Sequence, residues 1–472
     1  MRLRTVSAPL AVALLAGCAG APATMPSASD VTLPAAFTFA PDGQPQDQAQ
    51  PLIAGLLPDD DPAFRALSGA ALDNAPVLAE ALARVEAARA SARRAGAERL
   101  PSIDANASAE RARSNPRQFG STSSFVDNTR TTYGANVTAR WDVDLFGGLK
   151  ASERAARARL DAAGGDAAAV RLALVSEIAA AVIDWRTLAA RRASLENDAQ
   201  AAEAVARLAG DREKSGIAPG FDRVRAEAQA SASRSRLAAL ESERAILIGK
   251  LVTLTARPVS EVTALLETPL DAAPALAPAP PAAPSTLLVN RPDVQAAEAR
   301  LRAADAGLAA AAAQRFPRLT LSGALGLLAF DFDALFDDQD SQVGSVGGSL
   351  AGPLLDFGRV AAEIDRSEAE TLGAFASYRG AVFTALGDAE AAYLGVEAAD
   401  RQAAATATEA KQAARAAHLS EVRFRAGLSD FLTVLEARRS ADGSGERAAI
   451  ASGQARRARV LLWQALGGSS LD

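Results

Sequence analysis

Apolar positions recur at helical spacing over two unusually long stretches of this chain. Residues 147–213 contain no proline, and a helix of that length would form a rod of roughly 100 Å. A coiled-coil spacing, which turns one helix face toward a partner helix, occurs in each half. It runs through Leu237, Leu240, Leu247, Leu251 and Leu254, and again through Leu372, Phe375, Val382, Leu386 and Tyr393. These patterns predict long helices that pack side by side.

Two short turns interrupt the helical patterns, at 215–222 and at 426–433. Gly216 and Gly427 give the backbone the freedom that a tight turn needs, and a new helical pattern begins after each turn. A long helix that reverses at such a turn runs back antiparallel to itself. The sequence therefore predicts two helical hairpins, with tips at about 214–221 and 426–431.

Four other segments alternate apolar and polar residues with the period of two that marks a β-strand. They span about 102–114, 132–145, 318–332 and 342–357. In the second segment Tyr133, Val137 and Trp141 share one face, while Asn136 and Thr138 lie on the other. The polar face is unsuited to a protein core, and the length suits an oblique crossing of a membrane. We therefore predict membrane strands; the alternative is a half-exposed strand in a soluble sandwich.

The two halves of the chain have the same order of elements. The helix start at 74–76 corresponds to that at 290–292, an offset of 216 residues, and the strand end at 145–147 corresponds to 356–358, an offset of 211. The pattern predicts two internal repeats, 71–257 and 291–472, joined by a proline-rich connector at 258–290. Four strands cannot close a membrane barrel, and an open sheet edge is excluded from lipid. Several copies must therefore share one barrel, with a dimer as the lower bound.

The N-terminus has the pattern of an export signal. Arg2 and Arg4 precede an apolar run at 8–16, and Cys18 is the sole cysteine of the chain. These residues resemble a bacterial lipoprotein leader, with 1–17 as signal peptide and Cys18 as the lipid acceptor. The alternative is an ordinary secretory leader with an incidental cysteine. Residues 18–70 lack sustained periodicity, and we predict a lipid-anchored, extended N-terminal segment there.

Composition and charge exclude several functions. The formal net charge of −6 offers no basic surface for nucleic acid. No Ser/His/Asp set, cysteine pair, phosphate-binding loop or pocket with paired carboxylates stands out, so we expect neither catalysis nor a cofactor. The Asp-rich loop at 331–340 lacks the spacing of a calcium site, and His418 is the only histidine, so we expect no metal site.

The chain resembles the TolC-like outer-membrane efflux channels, in their lipoprotein branch. The motifs that carry the resemblance lie at 15–18, 141–148, 291–294, 352–359 and 423–429. The resemblance implies a mostly α-helical protein with a membrane β-barrel, in which a homotrimer forms a 12-stranded β-barrel continued by a 12-helix periplasmic tunnel. It also implies the outer membrane as location, and a passive exit duct that joins a periplasmic adaptor protein and an inner-membrane RND-type pump.

The resemblance further implies roles for residues at the tips. Thr433 and Glu436, three positions apart on one helix face, correspond to the family's gate, although the family pattern has Asp where Thr433 stands. Three copies of Glu436 would repel one another and could attract cations, or be held by arginine partners such as Arg423 or Arg425; the alternative for Glu436 is a solvated side chain. The tip residues Gly216, Ile217, Gly427 and Leu428 correspond to the family's adaptor contact; the alternative is an ordinary helical turn. For the protein as a whole, the alternative is a coiled-coil envelope lipoprotein that does not conduct.

Overall fold

The computed structural model describes residues 25–41, 55–113, 129–217, 219–270, 275–285, 290–337 and 339–468. The helices are α1 (Pro62–Asn74), α2 (Pro76–Ala97), α3 (Gly148–Lys214), α4 (Gly220–Thr255), α5 (Val259–Leu266), α6 (Pro292–Ala313), α7 (Ala334–Asp337), α8 (Arg359–Arg425) and α9 (Phe431–Ala465). The strands are β1 (Ser102–Arg113), β2 (Thr129–Val143), β3 (Arg318–Ala329) and β4 (Gln342–Ala351). In the described part of the chain, no helix combines the length and apolar character needed to cross a lipid bilayer.

The helices α3 and α8 are each 67 residues long, and each folds back through a tip onto its neighbour, α4 or α9. The four helices lie side by side in the order α4, α3, α9, α8, with α6 against both α3 and α8. Small residues allow this close approach: a Cβ added to Gly165 of α3 would stand 2.9 Å from the Cβ of Ala296 in α6. The alanine-rich faces of the helices therefore set their spacing.

The main hydrophobic core lies where the helices meet the N-terminal segments and the connector. Its largest buried side chains include Trp463, Tyr393 and Phe64. The indole of Trp185 donates to the carbonyl of Leu266 at 3.0 Å, which ties α5 to α3. The predicted connector at 258–290 therefore begins with a packed helix.

The four strands form one antiparallel sheet in the order β1-β2-β3-β4. Register separates its two faces: Val137 pairs with Ala105 and Leu325, and the next position along, Asn136, pairs with Asn106 and Gly326. One face is therefore apolar and the other polar across β1, β2 and β3. Within the described chain, β1 and β4 each have one unpaired edge.

Three strands end earlier than the alternation predicts. β4 stops at Ala351 and not at 357, because Gly352 precedes Pro353, which has no N–H for a ladder. β2 stops at Val143 and not at 145, because the Asp144 carboxylate accepts the N–H groups of Leu149 and Lys150 in the first turn of α3. Similarly, β3 ends at Ala329, before the predicted 332.

The prediction of an extended segment up to residue 70 is wrong for its last part, because α1 begins at Pro62. Pro62 suits the first helical position, and the Asp61 carboxylate accepts the N–H of Ala63 at 2.9 Å as the cap. The short helix buries Phe64 and Leu67 in the core. Cys18 and the predicted signal peptide lie outside the described residues.

Asp61 is also the partner of Arg186 in α3, at 2.8 and 3.0 Å. Asp61→Ala removes the cap and leaves Arg186 without its carboxylate, so we expect the free energy of unfolding to fall by roughly 3 kcal/mol. The measurement is the thermal midpoint of the full-length protein in detergent. Asp60→Ala, at the exposed neighbouring position, is the control and should leave the midpoint unchanged.

The same pair predicts a pH dependence. Burial alone would raise the pKa of Asp61, but the hydrogen bonds from Arg186 and from the backbone outweigh it and hold the pKa below its ordinary value of 3.8. The stabilisation is therefore complete above about pH 4 and is lost as the pH falls below it. An equal midpoint difference between wild type and Asp61→Ala at pH 3 and pH 7 would contradict this assignment.

Candidate functional site at the helical tips

The two tips have the same backbone geometry. Gly216 and Gly427 adopt left-handed φ values of 71° and 75°. At the first tip the N–H of Ile217 donates to the backbone carbonyl of Arg212 at 2.9 Å. At the second tip the N–H of Leu428 donates to the backbone carbonyl of Arg423 at 2.8 Å. This arrangement satisfies the last carbonyls of each long helix and leaves the residue after the glycine projecting from the end.

Those projecting residues are exposed and apolar. Ile217 is 68% exposed and Leu428 is 69% exposed. The sequence analysis missed two further exposed apolar residues of the first tip, Phe221 and Val224. They lie three positions apart in the first turns of α4 and therefore share one helix face. The first tip thus exposes this pair in addition to Ile217.

The tips are packed against each other. Phe424 at the end of α8 contacts Phe431 at the start of α9, with ring centroids 5.9 Å apart. The guanidinium of Arg212, from the first hairpin, lies 4.7 Å from the centroid of Phe424. Ala209, Ala226, Val434 and Leu435 complete this small core. It joins both hairpins at their ends, and the spacing of apolar residues along either hairpin alone does not reveal it.

The starts of the two returning helices differ. Pro219 precedes α4 without a side-chain cap, whereas Asp430 caps α9 by accepting the N–H of Thr433 at 2.7 Å. The hydroxyl of Thr433 lies 3.1 Å from the other oxygen of the same carboxylate. These hydrogen bonds lower the pKa of Asp430 because they favour its charged form. Thr433 is therefore exposed but held in place by the cap.

Glu436 lies one turn beyond Thr433, and both side chains are exposed on the α9 face opposite Val434 and Leu435. Within the described chain, neither Arg423 nor Arg425 forms an ion pair with Glu436. The nearby cross-link between α9 and α8 is instead Arg438 to Glu421, at 2.7 Å. The structure thus brings the two predicted gate residues together on one face without an arginine partner from the same copy.

Ion pairs hold the first hairpin to α9 farther from the tips. Arg191 of α3 donates to Glu243 of α4 at 2.6 Å and to Glu446 of α9 at 2.9 Å. Burial alone would lower the pKa of Arg191, but its hydrogen bonds to the two carboxylates outweigh burial and raise it. This arginine therefore joins three helices at one point.

Described residues of the Asp-rich loop lie against the end of the sheet. Phe332 meets Tyr133 edge to face at 5.6 Å, and Leu335 is buried. Among the residues that the structure describes, no group of three or more His, Cys, Asp or Glu side chains is placed to hold a metal ion.

Comparison with known proteins assigns this architecture. The outer membrane efflux protein family matches residues 67–257 and 283–468. The pyoverdine export outer membrane protein OpmQ of Pseudomonas aeruginosa is 31% identical, covering 99% of this chain and 97% of its own. The toluene efflux pump outer membrane protein TtgI of Pseudomonas putida is 27% identical, covering 86% of each chain. The solved structure of the outer-membrane channel OprN is similar with a TM-score of 0.83 and 26% identity, over 93% of this chain and 97% of that one.

Long paired helices ending in apolar tips, with a two-faced sheet, define an outer-membrane efflux channel. The chain belongs to the outer membrane efflux protein family. These matches confirm the resemblance that the motifs indicated. They also confirm that the protein functions in efflux transport and belongs to the outer membrane.

Proposed function

We propose that three copies of this protein form a closed, passive exit duct, anchored by a lipid on Cys18 and joined to a periplasmic adaptor and an inner-membrane RND-type pump. The observation that carries the proposal is the sheet, which has an apolar face and two unpaired edges. In lipid, unpaired backbone groups are costly, so each edge needs a partner strand. A second copy of the chain can supply it.

An internal repeat supports this pairing. Ser102 pairs with Arg140 in the first half, and the residues 216 and 211 positions later, Arg318 and Ala351, pair with each other. The offsets that relate the motifs in the sequence therefore also relate the strand registers. The two matched family segments, 67–257 and 283–468, divide the chain in the same way.

The repeat predicts the contact between copies. Ala139 of β2 pairs with Gly323 of β3. The residue 211 positions after Ala139 is Leu350, and the residue 216 positions before Gly323 is Ala107. We therefore expect Leu350 of one copy to lie opposite Ala107 of the next. The stacked pair Phe146 and Phe316, with centroids 4.6 Å apart, likewise becomes Phe357 against Leu100.

The exposures agree with that contact: Phe357 is 91% exposed and Leu100 is 67% exposed in the single chain. Three copies of the four-stranded sheet give a twelve-stranded barrel. The long helices α3, α4, α8 and α9 of three copies give the twelve-helix tunnel.

The register is testable with the pair Leu350→Cys and Ala107→Cys. We expect a disulfide between copies, because opposed residues on one sheet face bring their Cβ atoms within bonding reach. The measurement is a ladder of dimers and trimers on a non-reducing gel. The control, Leu350→Cys with Ser108→Cys, places the second thiol on the opposite face and should give monomers. Equal cross-linking of both pairs, or of neither, would contradict the register.

The tips are the proposed adaptor-docking surface. A tight turn ending in an exposed apolar residue, Ile217 or Leu428, offers a hydrophobic contact to a partner's helical hairpin. The tips lie at the far ends of α3 and α8, roughly 100 Å from the sheet. That placement suits a duct that is anchored in the outer membrane and meets its partners in the periplasm.

Leu428→Asp should therefore abolish export while leaving the trimer intact. A charge at the contact would have to be desolvated on docking, which opposes assembly. The measurement is ethidium accumulation in cells that carry the cognate pump and adaptor, with export falling to the level of cells without the channel. Val259→Asp, at an exposed apolar site on α5, is the control. Normal export by Leu428→Asp would refute the contact.

Glu436 is the proposed gate carboxylate, supported by Thr433 on the same face. About a threefold axis, three exposed carboxylates would attract cations and narrow the opening. Glu436→Ala should raise single-channel conductance in planar bilayers and reduce cation selectivity, whereas Glu397→Ala on α8 should change neither. Unchanged conductance and selectivity would remove Glu436 from the gate. Absence of any wild-type conductance would favour the non-conducting spacer.

A further inference from the structure

Two carboxylic acids face each other inside the helical body. Asp198 lies on α3 and Asp442 lies on α9, so the two side chains lie between the first hairpin and the second. Asp442 is only 4% exposed, and the Oδ2 atom of Asp198 is buried without a hydrogen-bond partner in the described chain. A small cavity around them is lined by Gln229 of α4 and by Leu435 and Arg438 of α9.

The positive charges around the two acids are already shared with other carboxylates. Arg438 faces the acids from α9, but its Nε donates to Glu421 of α8 at 2.7 Å. Arg236 faces them from α4 and lies 3.9 Å from Glu446. Neither arginine therefore neutralises the two acids fully.

A neutral polar neighbour, Gln229, is also engaged. It acts to lower the pKa of Asp442, and its carbonyl oxygen accepts from Arg439 at 3.2 Å. The charged and polar groups that act on the acids from α4 and α9 thus include Arg236, Gln229 and Arg438.

Two adjacent buried carboxylates favour holding a proton. Burial raises the pKa of Asp198 from its ordinary 3.8 to about 7. The negative charge of Asp442 also raises this pKa, whereas the positive charges of Arg236 and Arg438 lower it. Burial likewise raises the pKa of Asp442. When one proton is shared, the acids can hydrogen-bond; when both are ionised, they repel across the α3–α9 contact.

We propose that Asp198 and Asp442 form a proton-operated clasp between the two hairpins: a shared proton holds α9 against α3, and loss of the proton loosens that contact. The clasp lies 17 residues before Ser215 at the first tip and 12 residues after Asp430 at the second. Loosening it therefore removes one of the contacts between α3 and α9, and leaves the small core at the tips as the contact beyond it.

The clasp acts within one copy. At the offset of 211 residues, the counterparts of Asp198 and Asp442 are Glu409 and Ser231. Glu409 pairs with Arg447 in the same copy, and Ser231 has no carboxyl to share a proton. The α8 and α4 surfaces thus lack the acid pair that joins α3 to α9.

The direction of the effect follows from proton linkage. The closed contact holds a proton up to about pH 7, whereas separated, solvated carboxyls release it near 3.8. The closed state therefore loses stability as the pH rises from about 4 to about 7, and the loss is complete above that range. One proton corresponds to a change of up to about tenfold per pH unit in the opening equilibrium.

The test is hydrogen–deuterium exchange of α9 residues 431–450 in the purified full-length protein at pH 5, 6, 7 and 8. Asp198→Asn is the reference, because its amide can donate a hydrogen bond to Asp442 and does not titrate. The ratio of rates removes the intrinsic pH dependence of exchange. We expect the wild-type rate, relative to Asp198→Asn, to rise by up to about tenfold per pH unit from 5 to 7 and to level off by 8.

Two further variants sharpen this test. Asp442→Asn should remove the pH dependence as Asp198→Asn does. Asp211→Asn, at an exposed carboxyl near the end of α3, should follow the wild type. A wild-type ratio that stays flat from pH 5 to 8 overturns the clasp. So does a retained pH dependence in Asp442→Asn, and if either Asn variant misfolds, the other serves as reference.

Discussion

The unpaired edges of the sheet are the constraint on which the rest of this molecule depends. Among the described residues, β1 and β4 each have backbone N–H and C=O groups without a partner strand along one side, and lipid offers them no partner. The apolar side chains around those edges are equally incomplete in a single chain, as Phe357 and Leu100 illustrate. A neighbouring copy would both pair the free backbone groups and cover the exposed apolar side chains. We therefore place a second copy of the chain at each edge.

The junctions between the sheet and the long helices are built in the same way in both halves of the chain. Asp144 accepts N–H groups of Leu149 and Lys150, and Asp356 accepts those of Gly358 and Val360. At both junctions a glycine with positive φ, Gly147 or Gly358, turns the chain into a long helix. Because the same device is used twice, two long helices leave the sheet in equivalent ways. The tips at their far ends are then held together by Phe424, Phe431 and Arg212.

Much of the fold could be predicted, because it depends on local periodicity. The four strands follow from alternation and the long helices from the absence of proline. Errors occurred where a local hydrogen bond or a proline ended an element, as at Asp144 and Pro353, and where α1 was too short to show a period. Of the tip residues, Ile217 and Leu428 are exposed on the projecting turns, while their role in docking and that of Glu436 in gating stay predictions.

The sequence by itself determined the class of protein, since turn glycines, strand alternation and motif order are encoded in neighbouring residues. Only the tertiary structure decided which distant residues meet. Asp198 and Asp442 are separated by more than half the length of the chain, and either one alone resembles a solvated acid on a polar helix. Their burial, and with it the raised pKa, exists only because α3 and α9 pack together. Desolvation is a property of the packed assembly of helices, so no local pattern reveals it.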